Sequence, residues 1–414
     1  MENQKRSGSA YREFRAAAYR NKYEPALIFG GRHYSYEQLL ERIEQSYNTF
    51  RQMGVEPGER VLLWLPNCPD LICAFYALSR LGAVAVISHP KSSPAEIFRQ
   101  MEDTGAERLM ATAERYAAYC CCNPPQRSAK LILCRPEKDL RGRALAAYLQ
   151  SQKKQAEEEQ AIYWDEQIAQ NRYHSGDASH RDDRKLAVVL YASSSFLSTR
   201  PIVYLPAELS AAAEGFFRHR EADRRIYIEP SLAFEGGFLA AHSAFCSGRE
   251  VLLGEEEKVA LLKKYRPDFL IGTEELFWEL RQRAQEFKGR WENLRGGILL
   301  GKEISPLMEK YAPRSFLKMG GKGELSQSPM PLKMRREELY YLRDFGVRLA
   351  DMEARLSLLE EVEHCRCLPE GGGICLQVTA KGSGSKQLGE KLAAFCRREM
   401  GLLYRPQRIE FKRF

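Results

Sequence analysis

The succession that most limits this chain runs from Tyr34 to Ser88: YSYEQLLERIEQSYNTFRQMG, RVLLWLP, PDLICAFYALSRLG and AVAVIS. The first and third read as helices, the third closed by Gly82, and the second and fourth as short buried strands. Alternation of this kind builds parallel strands covered by helices. The scheme repeats in ERLMATA, AKLILCRP, KLAVVLYA, EVLLG, DFLIG and GGILLG. The predicted fold class is therefore α/β, with mixed, largely parallel sheets and covering helices in a large N-terminal domain.

The tail changes character from Leu349 onward. There ADMEARLSLLEEVEHC reads as a helix, GGGICLQVTA as a strand after a glycine hinge, and KQLGEKLAAFCRREMG as a second helix, which predicts a small separate α+β domain. Residues 145–183 are polar and strongly charged, and read as a solvated surface helix plus a connector.

A chain of 414 residues, 44% of them hydrophobic, buries a sizeable core and has the length for two domains. Its 63 basic and 55 acidic residues give a formal charge of +8, spread along the chain without a Lys/Arg block interleaved with aromatics. Nucleic-acid binding is therefore not expected. Eleven cysteines, the polar start MENQKRSGSA and the absence of a long apolar run predict a reducing, cytoplasmic setting without disulfides or a membrane span. Cys120, Cys121 and Cys122, and the pair Cys365 and Cys367, lack zinc-site spacing and are read as plain thiols. His89 and His242 are read as structural residues.

Several stretches, in order, resemble the adenylate-forming superfamily of acyl-CoA synthetases, peptide-synthetase adenylation domains and luciferases. YSYEQLLERI is similar to its LTYxEL helix, VEPGERVLLWLPNCPDLICAFYALSRLGAVAV to its first βαβ core, and LRGGILLGKEI to the glycine turn before its second nucleotide loop. LAAFCRREMGLLYRPQRIEF is similar to its penultimate helix and Tyr-x-x-Pro strand entry. The resemblance implies a two-step ligase, in which a carboxylate attacks the α-phosphate of ATP and a thiol then takes the acyl group. The cofactors implied are ATP/AMP with Mg2+, and CoA or phosphopantetheine. The partners implied are a small carboxylic acid and an acyl carrier protein or another biosynthetic enzyme.

Against the family's YTSGTTGxPKG loop, YASSSFLSTRP keeps Tyr191 and Ser193, places Arg200 at the lysine, and loses both internal glycines. Glycine matters there because bare backbone amides can approach phosphate closely. Two readings stay open: an anion loop rebuilt on Ser193, Ser194, Ser195 and Arg200, or an ordinary strand–turn–strand, which the missing glycines favour. In LKMGGKGELSQSP, Gly321 matches the glycine of the YGxTE turn and Glu324 its magnesium-side glutamate, while Gly320 replaces an aromatic and Gly323 a threonine.

Ten residues after Glu324, MRREELYYLRD lines up with the interdomain signature GRxDDxIKxxG. Arg335 matches the arginine, Glu337 and Glu338 the acidic pair, and Asp344 replaces the glycine that lines the thiol tunnel. This alignment sets residues 1–336 as the N-terminal domain, lacking the β-rich lobe and ribose-binding Asp, and 337–414 as a truncated C-terminal domain. No C-terminal catalytic lysine is assigned. Phe234, Gly236 and Gly237 are candidate acyl-pocket residues, with core packing as the preferred reading. The expectation is an acyl-CoA synthetase-like protein with a degenerate site and weak or absent activity; the alternative is a non-catalytic acyl- or nucleotide-binding or scaffold subunit.

Overall fold

A computed structural model describes residues 9–122, 130–141, 162–171, 187–192, 200–214, 217, 223–254, 258–283, 294, 296–300, 316–319, 339–342, 345–357, 359–370, 373–382, 385–400 and 406–412. In chain order the elements are α1 (Ala10–Arg20), β1 (Pro25–Phe29), β2 (Arg32–Ser35), α2 (Tyr36–Gln52), β3 (Arg60–Trp64), α3 (Pro69–Leu81), β4 (Val84–Ser88), α4 (Pro94–Thr104), β5 (Arg108–Thr112), α5 (Ala113–Cys122) and β6 (Lys130–Cys134). A 3-10 turn (Pro136–Asp139) follows, then β7 (Ile162–Tyr163), α6 (Trp164–Gln170), β8 (Val188–Ala192), β9 (Arg200–Tyr204), α7 (Pro206–Glu214), β10 (Arg225–Ile228), α8 (Glu235–Cys246) and β11 (Glu250–Leu253). Next come α9 (Lys258–Tyr265), β12 (Phe269–Thr273), α10 (Glu274–Gln282), β13 (Gly296–Leu300), β14 (Phe316–Met319), β15 (Leu339–Leu342) and β16 (Phe345–Arg348). The last elements are α11 (Leu349–Leu356), β17 (Val362–Glu370), β18 (Gly373–Ala380), α12 (Lys386–Met400) and β19 (Arg408–Phe411).

Two seven-stranded sheets carry the body, in the orders β14-β13-β12-β10-β11-β1-β2 and β7-β6-β5-β3-β4-β8-β9. All neighbours are parallel except the edge hairpins β1/β2 and β8/β9. The period-two alternation of side chains explains the layering. In β3, Val61 and Leu63 face a central core, whereas Leu62 and Trp64 face α4 and α5. In the other sheet, Ile226 and Ile228 face the central core while Tyr227 packs toward α9 and α10. Helices α1, α2, α3 and α8 thus lie between the sheets, giving five layers. Their ends follow the expected chemistry: Ser35 and Ser93 build capping boxes with Gln38 and Glu96, and Gly82 takes φ 76° to close α3.

A buried ionic clasp joins the sheets near β2. Arg42 of α2 donates to Asp70 of α3 and to Asp139 of the 3-10 turn, each at 2.7 Å, and the Tyr34 hydroxyl donates to Asp139 at 2.7 Å. Burial pushes the Asp70 carboxyl up against the pull of Arg42. Burial acts the same way on Asp139, but the Arg42, Tyr34 and Arg32 donors overcome it and hold this carboxyl below its ordinary value.

Two expectations change. Within the segment read as surface, Trp164 is fully buried, its ring 4.7 Å from that of Phe50, because the short β7 adds to the sheet and turns the next residue inward. The helix read over 350–365 ends at Leu356, and Val362–Glu370 forms a strand instead. Pairing with β18 outweighs the local helical spacing there. The β17-β18-β19 sheet, α11 and α12 share a separate core that includes Met352, Leu376, Val378 and Leu392. Among the described residues, no helix is long and apolar enough to cross a membrane.

Candidate active site

In open parallel sheets, ligands bind beyond the carboxyl ends of the strands. Here β3, β4 and β8 run parallel and side by side, and the chain leaves β8 at Ala192 to return as β9 with Arg200 directly opposite. These two strand ends flank the glycine-free stretch 193–199, which lies outside the described residues. Past the carboxyl ends of β3 and β4, the Arg115 guanidinium sits 6.0 Å from the Trp64 ring and donates to the Pro90 carbonyl at 3.2 Å. The His89 imidazole is pushed down by burial and by the charges of Lys91 and Arg115. The buried Ser88 and Ser92 hydroxyls make no hydrogen bond among the described residues. Lys91 and Arg115 thus give this edge positive charge, a setting that suits an anion.

The second sheet meets this edge through Asn67, just past β3. Its amide donates to the Pro230 carbonyl at 2.9 Å, and its carbonyl oxygen accepts from Leu232 N–H at 2.8 Å. This two-way stitch fixes the turn after β10 beside the end of β3. Glu229 in that turn accepts from Thr273 N–H at 2.8 Å and from Lys258 at 2.5 Å, tying in the end of β12. Helix α8 starts after Phe234, which has no side-chain capping bond. Gly236 and Gly237 lie buried in the first turn, and a Cβ on Gly237 would come within 2.9 Å of the Ser231 carbonyl oxygen. A cavity of about 20 Å³ lies between α3 and α8, lined by Phe75, Tyr76, Leu232, Phe238, His242 and Phe245 among others. That is room for about one water.

Arg200 is placed as the first residue of β9. Ser193, Ser194, Ser195, Gly320, Gly321, Glu324 and Arg335 lie outside the described residues, and so does the magnesium reading that rests on Glu324. β14 ends at Met319, so the chain enters the second candidate loop from the carboxyl end of the other sheet. Sequence reasoning missed Asn67 and Tyr36. The Tyr36 hydroxyl hydrogen-bonds with the Phe245 carbonyl at 3.0 Å and the Arg249 carbonyl at 2.7 Å, closing the far end of α8. The YSYEQL motif was a usable signal for Tyr36; Asn67 has none, because its partners are 163 and 165 residues away.

Comparison with known proteins agrees with this architecture. A 95-residue stretch is 36% identical to 4-coumarate–CoA ligase 1 of Arabidopsis thaliana, covering 22% of this chain and 17% of that protein. A 99-residue stretch is 31% identical to the crotonobetaine/carnitine–CoA ligase of Salmonella paratyphi A, covering 23% and 19%. The chain thus matches less than a fifth of the length of these two relatives. In fold it is similar to the anthranilate CoA ligase AuaEII, solved with anthranoyl-AMP, at TM-score 0.62 and 13% identity over 98% of this chain and 93% of that one. It is also similar to a benzoate CoA ligase from Burkholderia xenovorans LB400, at TM-score 0.61 and 16% identity over 98% and 96%. The AMP-binding enzyme family matches residues 14–402, nearly the whole chain, and the chain belongs to that family.

Proposed function

We propose that this protein activates a carboxylic acid as an acyl-adenylate for transfer to a thiol, and does so slowly. What supports the reading is that β8 ends at Ala192 and β9 begins opposite it at Arg200, at the carboxyl edge shared by β3, β4 and β8, while Lys91 and Arg115 lie near His89 just past β4. A substrate carboxylate oxygen attacks the α-phosphorus of ATP, the bond to the β-phosphate breaks, and pyrophosphate leaves. A thiol sulfur then attacks the acyl carbon and AMP departs. Arg200 supplies the fixed positive charge for the outer phosphates, and the cationic rim raises the local potential for the polyanion.

The rate is low because the loop lacks the bare backbone that lets amides close on phosphate. Loss of one such stabilising donor costs about 10²–10³-fold. Relatives and fold neighbours act, by their names, on coumarate, anthranilate and benzoate, so flat aryl acids are the first substrates to try, followed by fatty acids. CoA or a carrier-protein phosphopantetheine is the thiol acceptor. The cavity between α3 and α8 is too small for any of these acids, so an acyl group that used it would have to displace Phe75 or Phe238.

Calorimetry with ATP and AMP, followed by ATP–pyrophosphate exchange across aryl and fatty acids, tests the proposal. Nucleotide binding with slow, acid-dependent exchange is expected. No nucleotide binding and no exchange with any acid would favour a scaffold role.

A further inference from the structure

Away from the strand edge, three chemically distinct ligand groups meet between α1 and α8. His242 and Cys246 are four residues apart and share one face of α8, and Glu13 reaches them from α1. His242 Nε2 lies 3.2 Å from Glu13 Oε2, Cys246 Sγ lies 3.9 Å from His242 Nε2, and Cys246 Sγ lies 4.0 Å from Glu13 Oε2. Zinc bonds of ordinary length at tetrahedral angles place such donor atoms about 3.3–3.6 Å apart. The triangle therefore matches one face of a zinc tetrahedron to within a few tenths of an ångström, and a small rotation of the Cys246 side chain closes it.

We propose that Glu13, His242 and Cys246 form a zinc site that ties α1 to α8, with water in the fourth position. The surroundings fit this assignment. The other ring nitrogen of His242, Nδ1, lies 3.0 Å from the Tyr76 hydroxyl and 3.5 Å from Cys246 Sγ; with Tyr76 as the partner of Nδ1, Nε2 is the nitrogen for the metal once the Cys246 side chain rotates toward it. Ligating histidines are commonly oriented by such a second partner. The other carboxylate oxygen of Glu13 is held by the Ser210 hydroxyl of α7. His242 is buried, while Glu13 and Cys246 are partly exposed, so an ion reaches the site from the surface beside α1.

Without a cation, burial and the Glu13 carboxylate push the Cys246 thiol well up, Arg20 opposing. That is the opposite of what a nucleophilic cysteine needs. A bound dication would be held by Cys246 as the thiolate, its proton passing to solvent, and by the Glu13 carboxylate, the two sharing the metal's charge. The three side chains join elements 229 positions apart in sequence, so a bound ion would also restrain α1 against the rest of the central layer.

The test uses the full chain, stripped with chelator, re-equilibrated with zinc alone in nucleotide-free buffer and dialysed. A single zinc per chain is expected, with a raised thermal midpoint. Cobalt in its place should give intense visible bands of a tetrahedral site and a thiolate-to-metal charge-transfer band. Cys246→Ser should lose that charge-transfer band and the bound metal while remaining folded by circular dichroism, and Glu13→Gln should lose the metal too. Tyr76→Phe should weaken zinc by about 10–100-fold. Failure of the wild type to retain zinc would overturn the proposal, as would equal retention by Cys246→Ser. Neither result bears on ATP–pyrophosphate exchange, so this proposal and the adenylation proposal fail separately.

Discussion

The layer between the two sheets and the edge where β8 turns into β9 belong to one family fold but are built differently. In the central layer, family-like segments such as PDLICAFYALSRLG pack with their neighbours through dense aromatic contacts, as in Phe75 against Phe238 at 4.9 Å. At the strand edge the frame is present, with Ala192 opposite Arg200, while the glycines that would bare the loop backbone are replaced by larger residues. On the proposed reading scaffold and reactivity are separable: packing preserves the fold, and a short loop would set how tightly phosphate can be approached.

The first way to sharpen this contrast is to damage the scaffold. Arg42→Met would leave the Asp70 and Asp139 carboxylates facing each other in a buried site, and removing one member of a buried ionic cluster costs about 3–5 kcal/mol. Urea unfolding should show that loss; a change under about 0.5 kcal/mol, the range of an ordinary surface substitution, would mean the clasp is not structural. At the edge the outcome should invert. Arg200→Ala should lower pyrophosphate exchange by about 10²–10³-fold while leaving urea stability within about 0.5 kcal/mol. If stability falls instead, Arg200 is a packing residue.

A smaller effect is expected from acid. The Asp139 carboxyl is held below its ordinary value in the fold, so its contribution to stability is complete above an unfolded pKa of about 3.9 and is lost as pH falls through the depressed folded value. Asp70 is shifted the other way; its charge costs stability, and protonation on acidification relieves that cost. The two carboxyls share Arg42 and titrate as a pair. Unfolding measured across the acid range should show Asp139→Asn flattening the acid limb and Asp70→Asn steepening it. Identical limbs in both variants would break the assignment.

Much of the fold was legible in the sequence because local patterns and tertiary packing agree. RVLLWLP and AVAVIS became adjacent parallel strands, and Gly82 closes α3 in the left-handed conformation a glycine favours. Legibility failed where a distant partner decided the matter. Trp164 lies in a charged stretch yet is drawn in against Phe50, and residues 362–365, read as the end of a helix, instead begin the strand that pairs with β18. The site divides the same way. Loop 193–200 is an expectation from alignment with a known motif and lies mostly outside the described residues, whereas the Asn67 stitch and the approach of Glu13 to the His242–Cys246 pair join segments more than 160 positions apart, which no local pattern gives.

The most direct test of the central claim restores the missing backbone. ATP–pyrophosphate exchange should be measured for the wild type, Arg200→Ala and the double variant Ser194→Gly/Leu197→Gly, with the acid that gives the highest wild-type signal. Slow exchange in the wild type, a rise in the double variant and loss in Arg200→Ala would place the limit in the loop. Fast wild-type exchange that the glycines leave unchanged, or no exchange in any of the three, would contradict it.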